Sequence, residues 1–170
     1  PAHWEVERLK FAAPRRNARL TRKPADLPYL GLENIEPTTG RLLLDVSAEQ
    51  VESIVAIFRR GDVLFGKLRP YLAKVVHAAF DGVCTTELLV LTPGGYCHAR
   101  FLSYGLISKG FISFIDAATY GTKMPRANEE QVGDVPVPTP PLPEQQAIAD
   151  FLDQQTAHLD ALADRVRRAM

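Results

Sequence analysis

Apolar positions alternate with small or polar ones along Pro28-Tyr29-Leu30-Gly31-Leu32-Glu33-Asn34-Ile35, until Pro37-Thr38-Thr39-Gly40 turns the chain. A period of two closed by turn residues predicts a strand and a loop. Between Ser47 and Phe58 two patterns overlap. Ser47 with Gln50 has capping-box spacing, while Ile54-Val55-Ala56-Ile57-Phe58 is rich in β-branched residues. A helical turn leading into a strand satisfies both. Arg60-Gly61-Asp62 predicts a turn, and Val63-Leu64-Phe65 and Ala73-Lys74-Val75-Val76 flank a basic bend running from Lys67 to Pro70. A further strand is expected from Thr86 to Leu91, ended by Pro93-Gly94-Gly95. Phe101, Leu102, Leu106, Phe111 and Ile115 fall at helical spacing with a break near Gly110. Mixed helical and strand signals inside one unit predict an α+β fold, with a single mixed globular domain.

The end of the chain differs in kind. Val135-Pro136-Val137-Pro138-Thr139-Pro140-Pro141-Leu142-Pro143 has too few backbone donors for a helix or a central strand, so a stiff extended strap is expected. Pro143 suits a first helical position, with Glu144 favourably placed against the helix dipole. Ile148, Leu152, Gln155, Leu159, Leu162, Val166 and Ala169 then follow in steps of four and three, a heptad seam with one polar member. Two readings of that seam stand: an amphipathic helix lying on its own domain, or a coiled-coil-like helix that finds a partner. The expected division is a globular domain over residues 1–141 and a helix over residues 142–170.

Composition narrows the class. At 170 residues and 46% hydrophobic content, the chain can close one sizeable core but not two enzyme domains. Its formal net charge is zero, so a polyanionic partner must be met by a local basic patch. From Arg8 to Lys23 there is such a run: Arg8, Lys10, Arg15, Arg16, Arg19, Arg22 and Lys23, with no acid between them. It reads either as a solvated arm or as a phosphate-contacting one. Two cysteines without framework spacing, Cys84 and Cys97, fit a reducing cytoplasm. Neither a signal-peptide pattern nor a membrane-length apolar run is present, so a cytoplasmic protein with no membrane partner is expected. The proline start predicts a trimmed piece of something longer.

Catalytic signatures fail one by one. Gly61-Asp62-Val63-Leu64-Phe65-Gly66-Lys67 has the spacing of a phosphate-cradling loop. Leu68 stands where a magnesium-holding Ser or Thr is needed, however, and Pro70 would break the helix that should follow. No acid is followed two positions later by lysine, as a magnesium nuclease would want. His3, His77, His98 and His158 lack a second ligand at helical or hairpin spacing, and adjacent Cys97 and His98 do not readily clamp one zinc. Ser103 and Ser113 lie in no nucleophile elbow.

Recognition chemistry remains. Lys67-Leu68-Arg69-Pro70-Tyr71-Leu72-Ala73-Lys74 puts cations and an aromatic on a proline-restrained bend. There Lys67 and Lys74 suit phosphates, and Arg69 has the fork for a guanine edge. Thr119-Tyr120-Gly121-Thr122-Lys123-Met124-Pro125-Arg126-Ala127-Asn128 adds hydroxyls, an amide and two cations on a second shaped loop. With the basic arm, these point to nucleic acid.

These residues also resemble a family. Pro1-Ala2-His3-Trp4-Glu5-Val6 leading to Arg8-Leu9-Lys10, Gly31-Leu32-Glu33-Asn34-Ile35, Gly61 through Leu72, Thr86-Glu87, Gly121-Thr122-Lys123-Met124-Pro125-Arg126 and Pro140-Pro141-Leu142-Pro143-Glu144-Gln145-Gln146 are similar to the specificity subunits of type I restriction-modification systems. The likeness spans nearly the whole chain, and its last two segments are the most specific. It implies a target-recognition domain reading half of a bipartite site on double-stranded DNA, followed by the start of a conserved spacer helix. It also implies no catalysis and no cofactor on this chain. Methyltransferase and restriction subunits would be partners, carrying S-adenosylmethionine, ATP and magnesium. On this reading Arg15, Arg16, Lys67, Arg69, Tyr71, Lys74, Thr122, Lys123 and Arg126 face DNA, and Ile148, Leu152, Leu159, Leu162 and Val166 face a partner or dimer helix.

Two departures stand out. Glu129 sits where the family often places an aromatic after the Arg-Ala-Asn segment. Only one recognition domain and a short helix are present, so the chain is either a fragment or a half-subunit that forms a homodimer to read a symmetric, interrupted site. The competing readings are a protein-interaction scaffold without DNA binding of its own, and the recognition domain of a fused methyltransferase or nuclease.

Overall fold

In the computed structural model the described residues are 1–22, 24, 26–43, 53–119 and 124–169. Along them run β1 (Glu5–Arg8), α1 (Leu9–Ala12), β2 (Arg19–Leu20), β3 (Tyr29–Leu30), β4 (Val55–Phe58), β5 (Val63–Gly66), β6 (Val75–His77), β7 (Gly82–Thr85) and β8 (Leu88–Leu91). After them come α2 (Ala99–Ile107), α3 (Lys109–Ala117), α4 (Glu129–Asp134), β9 (Pro136–Thr139) and α5 (Leu142–Ala169). This is the expected α+β class.

The centre is an antiparallel three-stranded sheet in the order β6-β5-β8, with Val63 opposite both His77 and Leu91. β5 and β8 are buried at every position because both faces of this sheet are covered. Val63, Phe65, Val75, Leu89 and Leu91 pack with Leu9, Leu102, Leu106, Phe111 and Ile115 on the helical side. Leu64, Val76, Leu88 and Val90 pack on the other side with Leu30, Ala56, Phe58 and Cys84. Those partners come from a second sheet in the order β2-β4-β7-β3, antiparallel except for the parallel β3–β7 pair.

Several elements depart from the sequence pattern. The strand expected over residues 28–35 is short: Tyr29 and Leu30 form it, Leu32–Asn34 turn as a 3-10 helix, and Ile35 makes an isolated bridge to Leu42. The Asn34 side chain accepts the Gly31 N–H at 2.8 Å there, and such local side-chain bonds compete with a ladder. β7 was not foreseen, because it opens on a glycine. A Cβ on Gly82 would lie 2.7 Å from both a Phe58 ring carbon and the Pro28 carbonyl oxygen, so the sheet requires the glycine that hides it. The helical region breaks at Ser108, which caps α3 by accepting from the Phe111 N–H. The capping box at Ser47 and Gln50 lies outside the described residues.

The largest correction concerns the basic arm. Leu9, Ala12 and Ala13 are fully buried, Arg15 bridges to Leu91, and β2 joins the second sheet. The run is thus a structural connector crossing from one sheet to the other. Its cations are largely neutralised from afar: Arg8 and Lys10 by Asp134, Arg15 by Glu129, and Arg16 by Asp62.

The proline strap is extended as expected, and it is also paired. β9 runs antiparallel to β1, from Glu5 opposite Thr139 to Arg8 opposite Pro136, with Pro136 and Pro138 turned to solvent and Val137 buried. An edge pairing suits prolines because it spares them an inward donor. Glu144 adds a clasp by accepting from Trp4 Nε1 at 3.0 Å and lying 2.9 Å from His3 Nε2. These bonds, His3 first and then Trp4, hold the Glu144 carboxyl below its ordinary value of 4.5. A carboxylate so depressed contributes stability that is complete above 4.5 and lost as pH falls through its lowered value. The emission of Trp4, the only tryptophan, should therefore shift on acidification below pH 4.5, and Glu144→Gln should remove that phase.

The helix α5 buries residues against its own domain in its first turns, and farther along Asp160 and Asp164 act on Arg41 through space. Gln145 and Ala149 are buried, Arg100 pairs with Asp150 and Asp153, and the Tyr104 hydroxyl donates to Asp153 at 2.5 Å. This body-facing stripe is one position off the heptad seam, whose Ile148 and Leu152 are half-buried. Beyond it Leu159, Leu162 and Val166 are exposed, as is Phe151. The first stretch of the helix therefore lies on its own domain, while the later seam residues face solvent.

Candidate nucleic-acid interface

The chain brings its two basic loops together. Arg69 N–H donates to the Pro125 carbonyl at 2.8 Å, Ala127 N–H donates to the Lys67 carbonyl at 2.9 Å, and Leu68 and Arg126 form a β-bridge. The bonded residues are more than fifty positions apart in sequence, yet one short ladder zips the loops.

The first loop is sharply shaped. Arg69 (φ 51°) and Ala73 (φ 47°) adopt left-handed backbone conformations on either side of a 3-10 turn at Pro70–Leu72. Non-glycine residues rarely occupy this region, and strain of this kind persists only where surrounding bonds enforce it. Leu72 N–H to Arg69 O at 2.9 Å, Ala73 N–H to Pro70 O at 2.8 Å and the Arg69–Pro125 bond do so here. Arg69 and Tyr71 are left exposed at the crest. Thr38 N–H donates to the Leu72 carbonyl at 3.1 Å, and Gly40 lets the same segment pass close to the strand that follows the loop. At φ +68° it approaches Val75, where a Cβ would sit 2.1 Å from the carbonyl oxygen.

The second loop enters α4 through Asn128, whose side chain accepts from the Glu130 and Gln131 N–H groups at 2.8 and 3.2 Å. That cap fixes Glu129 at the first helical position. Its carboxylate then meets Lys67 Nζ at 2.5 Å and the Arg15 guanidinium. Beside it Arg126 Nη2 donates to Glu87 Oε1 at 2.7 Å, and the Lys67 N–H donates to the Glu87 carbonyl at 2.9 Å. Among the described residues the buried Glu87 Oε2 has no hydrogen-bond partner; the carboxylate pairs with Arg126 and also acts on Lys67 through space. Burial pushes the Lys67 ammonium below the usual lysine range, against the pull of Glu87 and with the push of Arg126, Arg19 and Arg15.

Of the residues expected to face DNA, Arg69, Tyr71, Arg126 and Arg15 are exposed. Three are corrected. Lys67 is buried in the carboxylate cluster, Lys74 turns inward to donate to the Leu32 carbonyl at 2.5 Å, and Arg16 is committed to buried Asp62. A cation beside a carboxylate or carbonyl in a low-dielectric setting is held there rather than offered to solvent. Thr122 and Lys123 lie outside the described residues. Sequence reasoning missed Glu129 as a cluster member and Asp62 and Gln145 as buried polar centres, and no local spacing announced them.

Other chemistry-bearing groups do not converge. Among the described residues no group of three His, Cys, Asp or Glu could hold a metal ion. Cys84 and Cys97 are free and buried, and burial raises their thiols to about 12 and about 11. Among the described residues no helix is long and apolar enough to cross a membrane.

An α+β domain that ties two distant loops by one ladder and carries a long C-terminal helix is the class of protein the structure defines. Residues 39–166 match the type I restriction modification DNA specificity domain, and the chain belongs to that family. The type I restriction enzyme EcoDI specificity subunit of Escherichia coli is 31% identical over 175 residues, which cover all of this chain and 38% of that protein. The crystal structure of the HsdS subunit from Thermoanaerobacter tengcongensis superposes with a TM-score of 0.67 at 23% identity, over 99% of this chain and 44% of that one. A structure described for the assembly and conformational transition of a type I R-M system gives a TM-score of 0.69 at 24% identity, with the same coverage. The chain thus spans less than half the length of these relatives.

Proposed function

We propose that the chain reads one DNA half-site for a type I restriction-modification assembly and performs no chemistry itself. Residues 1–141 act as the target-recognition domain and residues 142–170 as the start of the spacer helix. Methyl transfer and cleavage belong to methyltransferase and restriction subunits, which carry S-adenosylmethionine, ATP and magnesium in the cytoplasm. The exposed α5 residues Leu159, Leu162 and Val166 give that helix an apolar stripe for a partner helix or a second copy of the chain.

The observation that carries the reading is the zipped pair of loops, with Arg69 held in a left-handed conformation at its crest. A strained, over-determined loop presenting an exposed arginine fork is built to present a base-reading group in one geometry. The experiment selects bound sites from a random-sequence duplex pool with the methyltransferase present. Arg69→Ala should then cost about 1–3 kcal/mol on the selected duplex and relax choice at one base position. Lys123→Ala should weaken all duplexes alike and reduce the salt slope by about one. If both variants bind every duplex as the parent does, the loop assignment is wrong.

A further inference from the structure

Glu129 poses a problem that the DNA-reading assignment does not resolve. A carboxylate beside a surface that meets phosphates lowers affinity for a polyanion. Yet its backbone is fixed by the Asn128 cap, and its two oxygens take separate cations: Oε1 meets Lys67 of the first loop, and Oε2 meets Arg15 of the connector. It therefore ties three chain segments at one point, beside the ladder that joins Lys67 to Ala127 and Arg69 to Pro125. Lys67 retains about one tenth of its side-chain exposure, so it cannot serve as a free phosphate contact while so held.

We propose that Glu129 is a positioning residue. Acting through Lys67 and Arg15, it holds both loops in reading geometry and so determines how well the chain distinguishes one DNA sequence from another. The inference rests on the DNA-reading assignment above. It gives Glu129 effects of opposite sign on two affinities. Removing the charge makes the surface more positive, which favours any duplex, while loosening the loops misplaces Arg69 and Arg126 for the right one.

The test measures binding of the full chain to the duplex selected by the parent and to a scrambled duplex, at one salt concentration. Glu129→Gln should lower the ratio of selected to scrambled affinity about tenfold, with scrambled affinity unchanged or higher. Glu129→Asp keeps the charge but draws the carboxylate back by one methylene. It should leave scrambled affinity at the parent value and lose part of the selectivity, and it stands in if Glu129→Gln fails to fold. Amide exchange at Arg69 and Ala127 should quicken in both variants while the core amides of β5 and β8 keep their protection.

Unchanged selectivity in both variants overturns the proposal. So does a parallel fall of both affinities, which marks a merely structural role, or a parallel rise, which marks simple charge screening. If the parent itself prefers no sequence, the DNA-reading assignment fails instead. The exchange measurement then still decides whether Glu129 holds the loops.

Discussion

Asp62→Ala is expected to destabilise the domain by about 2–4 kcal/mol, because it removes a buried carboxylate that holds a half-buried guanidinium and two further donors at once. Asp62 Oδ2 accepts from Arg16 Nε at 2.7 Å and from the Arg59 N–H at 2.8 Å, and Oδ1 accepts from Arg16 Nη2 and Thr92 Oγ1, each at 3.0 Å. The bidentate fork raises Arg16 above the ordinary arginine value, with the Asp62 hydrogen bond as the largest cause. Its carboxylate is 3% exposed, so water cannot replace it. Denaturant unfolding of the variant reads the loss directly. The companion Arg16→Ala should cost a similar amount by leaving Asp62 charged and unpaired. A loss below 1 kcal/mol in both would mean that the pair contributes no more than an exposed one.

Gln145→Ala is the second large effect, about 2–4 kcal/mol in the same assay, since one buried and two half-buried backbone groups would lose their partner together. Gln145 is 1% exposed. Its Nε2 donates to the Pro140 carbonyl at 2.7 Å and the Tyr96 carbonyl at 2.9 Å, while its Oε1 accepts from the His98 N–H at 2.8 Å. One amide thereby joins the end of the proline strap, the loop before α2 and the first turn of α5. Gln145→Met, which keeps the length and removes the hydrogen bonds, should lose nearly as much. If methionine restores parent stability, packing rather than hydrogen bonding holds this junction.

These two centres show where sequence reading stops. The strands at residues 63–66 and 88–91 were legible because a sheet covered on both faces leaves an unbroken apolar run. The strap was legible because proline restricts its own backbone whatever surrounds it. The shape of the first loop was visible in part, through Pro70 between two basic residues. Pairings were not visible: Arg16 and Asp62 are 46 positions apart, Lys67 and Glu129 62, and Arg8 and Asp134 126. A run of cations without an acid looks like an arm when the counter-ions of Arg8, Lys10, Arg15 and Arg16 come from distant segments. The same blindness promoted Lys67 and Lys74 to the surface and hid Gln145, whose partners are carbonyl and amide groups that every residue possesses.

The pairing of β1 with β9 has a consequence for inheritance. Chain entry at Glu5 and chain exit at Thr139 share one rung of a two-stranded ribbon, and the next rungs close at Leu9 and Val135. Everything between is a loop tied off at its neck. A segment tied in this way can change inside its neck without disturbing the helix that follows, so substitutions there are inherited independently of α5.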